Sequence, residues 1–133
     1  MEGIDVYLSE KKQVPLILAF GGLSNQLSEP VFEFRRYLTN HFECHFIFLR
    51  DLEQVWYHSG VKGLTSEAEE DYIAASVTAL KERITQIPYT RLITLGTSAG
   101  GYASLLFGIL LEADSIVSFS PQTYLDLPNR QKY

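Results

Sequence analysis

LITLGTSAGGYASLLFGIL, residues 92–110, is the stretch that decides how this chain folds. An apolar run, Leu92 to Leu95, stops at a glycine-rich turn around Ser98, and a second apolar run follows at once. The first run has the length of a buried strand, and the second, GYASLLFGILLE, the length of a helix. Gly96-Thr97-Ser98-Ala99-Gly100 is a GxSxG sequence lying between them. That context predicts a sharp strand-to-helix turn which lifts the Ser98 hydroxyl above the sheet edge. Gly96 and Gly100 flank the serine because side chains there would collide with a neighbouring strand or helix. The helix N-terminus then points at the site, so the Ala99 N–H is set to stabilise an oxyanion. A phosphate cradle is the competing reading of such a turn. The sequence lacks both the Lys-Ser/Thr ending of a P-loop and GxGxxG spacing, which disfavours that reading.

Working outward, VPLILAF (residues 14–20) reads as a strand covered on both faces, ending at Gly21-Gly22. Turns at the carboxyl ends of parallel strands form the site in α/β sheets, so Gly22 or Leu23 is expected to offer the second oxyanion N–H. Ser28 as N-cap and Pro30 in the first turn would open a helix, with Val31, Phe34 and Leu38 at helical spacing. FECHFIFLR is the next strand, and the loop DLEQVWYHSGVKGL follows it. Ser66 and Glu69 stand at capping-box spacing ahead of a helix whose stripe is Ile73, Val77, Leu80, Ile84 and Ile87. Pro88 helps to end it, and SIVSFSP is a last buried strand. IDVYLSE, joined to the next strand by a short turn, is expected at an edge and antiparallel. The alternation of strand and helix predicts an α/β fold: a three-layer α/β/α sandwich around a mainly parallel five-stranded sheet.

The 133 residues make one domain, 1–133, able to bury roughly two thirds of its unfolded surface. With 46% hydrophobic and 20% charged residues the composition is that of a soluble globular protein. A net charge of -5 argues against nucleic acid or an anionic membrane as partner. The single cysteine, Cys44, excludes an internal disulfide and suits a cytoplasmic setting; it reads as a small apolar filler. MEGIDVYLSEKK has no signal-peptide character, and no apolar run is long enough to span a bilayer. The histidines and Cys44 lack metal-ligand spacing, so no metal or other cofactor is expected.

A serine hydroxyl is a poor nucleophile until a base takes its proton. His41 ends a helix far from the site, and His45 lies within a strand as a structural residue. His58 leaves the carboxyl end of a strand on the elbow's side, and an upstream histidine is allowed because a triad is defined by geometry, not chain order. Asp51, which starts the same loop, would orient His58 or contact substrate. Gln54, Trp56, Tyr57 and Tyr102 would line a pocket for an ester or a sugar-like small molecule, or else cover the small core. Asp126 is a further acid with no histidine to serve.

LILAFGG, FIFLRD, LITLGTSAGG and SIVSFSP, with helices between them, resemble the α/β-hydrolase superfamily from its second strand to its sixth. The chain also resembles an uncharacterised bacterial and phage group of hydrolase-like proteins. That likeness rests on Arg50, Asp51, Gln54, Trp56, Tyr57, Gly60, Gly63 and Leu64, and on Phe119, Ser120, Pro121, Gln122 and Thr123. The resemblance implies a serine esterase or thioesterase with Ser98 as nucleophile, and Ala99 with the Gly21–Leu23 turn as oxyanion hole. It also implies an acid from a later strand and a histidine after the last one. The chain reaches only DLPNRQKY, so a truncated relative is expected, without the usual late histidine. Three readings follow: an acyl-transfer hydrolase, a binding module that kept the elbow, and a chain completed by a partner or by a homodimer through the last strand.

Overall fold

Five short apolar runs, each too short for a helix of ordinary length and rich in β-branched and aromatic residues, pair as one sheet in a computed structural model that describes residues 2–23 and 31–123. In chain order the elements are β1 (Ile4–Tyr7), β2 (Leu16–Phe20), α1 (Arg35–His41), β3 (His45–Leu49), α2 (Tyr72–Thr85), β4 (Leu92–Thr97), α3 (Ala99–Leu110) and β5 (Ser115–Phe119). The sheet order is β1-β3-β2-β4-β5. β1 runs antiparallel to β3 at one edge, as expected, and the other pairings are parallel. The chain is therefore α/β with a mostly parallel five-stranded sheet and three helices.

Side-chain alternation along the strands divides the core. Leu16, Leu18 and Phe20 of β2 pack with Leu80 and Ile84 of α2 and Ala103 and Phe107 of α3. Ala19 of β2, with Phe46 and Phe48 of β3, packs with Leu38 of α1. At roughly 25 cal/mol per Å² of apolar surface removed from water, the first group is the larger stabilising block. The face beside α1 is less fully covered. An apolar groove of about 390 Å³ runs between α1 and the far strands, lined by Tyr37 and Leu38 on one side and Leu95, Val117 and Phe119 on the other.

Two sequence expectations about helix starts are corrected. α1 begins at Arg35, not near Pro30, because Phe34 adopts a left-handed backbone (φ 62°), which breaks a right-handed helix. Val31 and Phe34 consequently lie exposed, and of that predicted stripe only Leu38 is buried. The proposed cap Ser28 and Pro30 lie outside the described residues. α2 is capped by Asp71, whose Oδ1 accepts the Ala74 N–H at 3.1 Å. Ser66 and Glu69 do meet, hydroxyl to carboxylate at 2.6 Å, but they close a turn ahead of the helix. The α2 stripe holds: Leu80 and Ile84 are buried, with Ile73, Val77 and Ile87 packed against the same cluster. Among the described residues no helix is long and apolar enough to cross a membrane.

Candidate active site

The parallel register brings the carboxyl ends of β2, β4 and β5 side by side, with Phe20 opposite Gly96 and Thr97 opposite Phe119. Ser98 sits where β4 gives way to α3, at φ 57° and ψ -121°, a conformation that L-residues avoid. Its surroundings over-determine it. The Ser98 N–H donates to the Phe119 carbonyl at 3.0 Å, and its own carbonyl accepts from Tyr102 N–H at 3.0 Å and Gln122 N–H at 3.1 Å. Strain of this kind, on the order of 1–3 kcal/mol, persists only where neighbours enforce it, and it gathers at functional sites.

The flanking glycines are required by close approach. A Cβ on Gly96 would lie 2.1 Å from the Gly100 carbonyl oxygen, and one on Gly100 would lie 2.1 Å from the Phe20 carbonyl oxygen. The elbow is thus wedged against the end of β2, where the Gly21–Leu23 turn begins. A Cβ on Gly22 would stand 3.2 Å from the Thr97 carbonyl and 3.9 Å from the Gly100 nitrogen, so the two turns meet. Ala99 is the first residue of a 12-residue helix. Its N–H, like those of Gly100 and Gly101, has no carbonyl one turn back, and the helix dipole adds partial positive charge there. Across the seam, the Gly22 N–H is already held by Glu33 Oε1 at 2.8 Å. Among the described residues nothing holds the Leu23 N–H.

The loop after β3 closes over this rim. Asp51 is fully buried, and its Oδ2 accepts the Val55 N–H at 2.7 Å and the Tyr57 N–H at 2.9 Å. Its Oδ1 is buried, with no hydrogen-bond partner among the described residues. Burial raises the Asp51 pKa, and the backbone N–H groups around it, Tyr57 first, pull it back down. The two bonds hold a backbone in which Gln54, Trp56 and Tyr57 all have positive φ. Asp51 therefore shapes the loop, and among the described residues no hydrogen bond joins it to His58.

From that loop three side chains reach the rim. The Tyr57 hydroxyl donates to the Gly21 carbonyl at 2.7 Å, with the Leu49 carbonyl at 3.2 Å, so it fixes the start of the Gly21–Leu23 turn. Tyr57 is fully buried, edge-on to Phe20, and in this structure is core and not pocket lining. Burial first, then the charges of Asp51 and Glu33, hold its phenol pKa well above the usual range. Trp56, nearly buried, donates its indole N–H to Gln122 Oε1 at 3.1 Å, and the backbone of Gln122 is bonded to Ser98. His58 is exposed, and its Nε2 lies 2.8 Å from the hydroxyl of Tyr102, one turn along α3 from Ser98. Gln54 is half-buried. Among the described residues no hydrogen bond joins the Ser98 hydroxyl to a histidine.

The other histidines are structural, as expected. His45 is buried; its Nδ1 accepts the Ser9 N–H at 3.1 Å and its Nε2 faces the Lys12 carbonyl at 3.2 Å, which fixes the neutral tautomer. His41 is exposed at the end of α1 against the Tyr37 carbonyl. Cys44 is buried, and burial followed by the nearby Glu43 charge raises its thiol pKa, consistent with an apolar filler. Among the described residues no group of three His, Cys, Asp or Glu side chains is arranged to hold a metal. Asp126 lies outside the described residues. Sequence reasoning missed one role and one residue: the first is Asp51 as a loop anchor, the second Glu33 at the Gly22 amide. An acid directly after a strand, ahead of a Gly-punctuated loop, is the signal that could have found the first; the second has no local signal.

No protein-family model and no curated protein sequence matches the chain. Among solved structures it is similar to the capsule O-acetyltransferase of Neisseria meningitidis serogroup A. In its complex with caged gadolinium that protein superposes with a TM-score of 0.70 at 17% identity, over 98% of this chain and 54% of the other. A second structure of that capsule O-acetyltransferase superposes with a TM-score of 0.69 at 17% identity, over 98% of this chain and 52% of the other. The chain thus spans about half the length of the solved structures it matches, and the likeness is one of fold.

Proposed function

We propose that the protein carries out acyl transfer through Ser98, on an α/β-hydrolase-like three-layer frame. The observation that carries this is the enforced backbone at Ser98, wedged between two glycines at the N-terminus of α3 and beside the Gly21–Leu23 turn. The fold likeness to an O-acetyltransferase supports the same reaction class. Ser98 Oγ attacks the carbonyl carbon of an ester or thioester and loses its proton to a base. The carbonyl oxygen becomes an oxyanion held by the Ala99 N–H and an amide of the Gly21–Leu23 turn. Collapse expels the alcohol or thiol, which takes the proton, and leaves an acyl-serine. Water, or an acceptor hydroxyl, then releases the acyl group by the reverse sequence. His58 is the proposed base, with Tyr102 beside it; Gln54, Trp56 and Tyr102 border the substrate. The test is turnover of an activated acetyl ester by wild type and Ser98→Ala. The reading expects turnover that the alanine variant abolishes; equal rates would end it.

The second reading is a binding module that retains the elbow without chemistry. It is favoured by the lack of a hydrogen bond between Ser98 and a histidine among the described residues. A chain that binds a small ester without consuming it would support this reading over the first. Completion by a second copy along β5 is also proposed. Among the described residues β5 pairs on one side only, with Val117 37% and Phe119 56% exposed, and an uncharged edge strand invites pairing. Light scattering after size exclusion should show a dimer; a monomer at high concentration contradicts this.

A further inference from the structure

We infer that Glu33 is a positioning residue for the oxyanion hole, and that by holding the Gly22 N–H it assigns oxyanion donation to the Leu23 N–H. This rests on the Ser98 reading above and deepens it.

Two independent observations point the same way. The first is the contact itself: Glu33 Oε1 reaches across 11 residues of sequence to accept the Gly22 N–H at 2.8 Å. A charge-assisted bond of this kind is among the stronger ones a side chain makes to backbone. It falls at the seam of the two turns, where a Cβ on Gly22 would lie 3.1 Å from the same oxygen and 3.2 Å from the Thr97 carbonyl. The second is what the chain gives up to make it. An acid just ahead of a helix ordinarily turns onto that helix's own unpaired N–H groups. α1 instead has no side-chain cap and no acid in its first turn, and Phe34 at its N-cap is left-handed. A bulky residue in that conformation is disfavoured by on the order of 1–2 kcal/mol. The bend shortens α1 and directs Glu33 away from it, onto the turn.

The turn is then gripped from two sides. Glu33 holds the Gly22 N–H from the α1 side, and Tyr57 holds the Gly21 carbonyl from the loop side. Both grips fall on a single peptide, the one joining Gly21 to Gly22, and fix its plane; with the Gly22 N–H committed, the next donor along the turn is the Leu23 N–H. The carboxylate charge is spent on the Gly22 amide, so Glu33 contributes geometry and takes no part in proton transfer.

The test is the rate of fluorophosphonate labelling at Ser98 in the full chain, read by mass spectrometry for wild type, Glu33→Ala, Glu33→Gln and Glu33→Asp. Misplacing an oxyanion donor slows reaction by about tenfold or more. Glu33→Ala should show that loss, as should Glu33→Asp, whose side chain is one methylene too short to reach. Glu33→Gln keeps an acceptor oxygen without the charge and should restore a rate near wild type. A merely structural residue would give variants ranked by melting temperature instead. Glu33→Asp carries the test should Glu33→Ala fail to fold. Labelling in Glu33→Ala or Glu33→Asp at or above the wild-type rate would overturn the inference, since the carboxylate would then be an obstruction at the seam. Unlabelled wild type would take down the Ser98 reading and this inference together.

Discussion

At the elbow the chain turns because side chains are missing, whereas in residues 51–57 it turns because one side chain is present. Gly96 and Gly100 let three backbone segments approach within distances no Cβ allows, and backbone bonds from Phe119, Tyr102 and Gln122 lock Ser98 between them. Residues 51–57 contain no glycine, and the crowded glycines of the loop, Gly60 and Gly63, come after them. Three of its non-glycine residues sit at positive φ, held by two N–H groups bonded to a single buried carboxylate oxygen of Asp51. The lesson is that a rim built on close approach is rigid by exclusion, while one built on a buried acid is rigid only while that acid keeps its partners.

The comparison is broken most severely at Gly100. Gly100→Ala forces a Cβ to 2.1 Å from the Phe20 carbonyl, so β2 or α3 must shift. A loss of about 3 kcal/mol or more is expected in denaturant unfolding, together with loss of any Ser98 reactivity. Asp51→Ala comes next. It leaves the Val55 and Tyr57 N–H groups without their acceptor, and a loss of about 3 kcal/mol is expected by thermal unfolding.

Asp51 also supplies a pH test. Its folded pKa is raised above the ordinary 3.8. The acid is thus harder to ionise in the fold than in the unfolded chain. Its contribution is fully present below the unfolded pKa and is lost as pH rises through the folded value. The stability difference between wild type and Asp51→Asn should therefore move against wild type as pH is raised from about 4. A difference that stays flat with pH contradicts the burial-driven shift.

Smaller effects separate support from chemistry. Tyr57→Phe strips the Gly21 carbonyl of its hydroxyl donor in a fully buried place, for a loss of about 1–3 kcal/mol and a slower Ser98. His58→Ala, at an exposed position, should change stability by no more than about 0.5 kcal/mol. Its effect should instead fall on Ser98 reactivity, by about a hundredfold. A large loss of melting temperature in that variant would make His58 a structural residue, with Tyr102 as its anchor.

The alternation of strand and helix, the antiparallel edge, the α2 stripe and the elbow were legible because each rests on local pattern. Period-two and period-3.6 burial and glycine at points of close approach leave their mark on neighbouring residues. The start of α1 was not legible, since Val31, Phe34 and Leu38 share helical spacing whether or not Phe34 turns left-handed. Nothing in VFEFRR announces that Glu33 will serve Gly22, because that bond depends on how two distant turns meet. Tyr57 and Trp56 read as pocket lining because the loop around them is polar. In the fold Asp51 holds the Tyr57 N–H, the Tyr57 ring lies in the core, and Trp56 donates its indole N–H to Gln122. His58 meets the hydroxyl of Tyr102, one turn along α3 from Ser98, a contact set by tertiary packing that no spacing encodes.

The most direct test of the central claim is covalent capture at Ser98. Folded wild-type protein treated with a fluorophosphonate, digested and sequenced by mass spectrometry, should carry the adduct on Ser98 and on no other serine, with none in Ser98→Ala. Folded protein that carries no adduct, or carries it equally on exposed serines such as Ser59 or Ser66, would contradict the account.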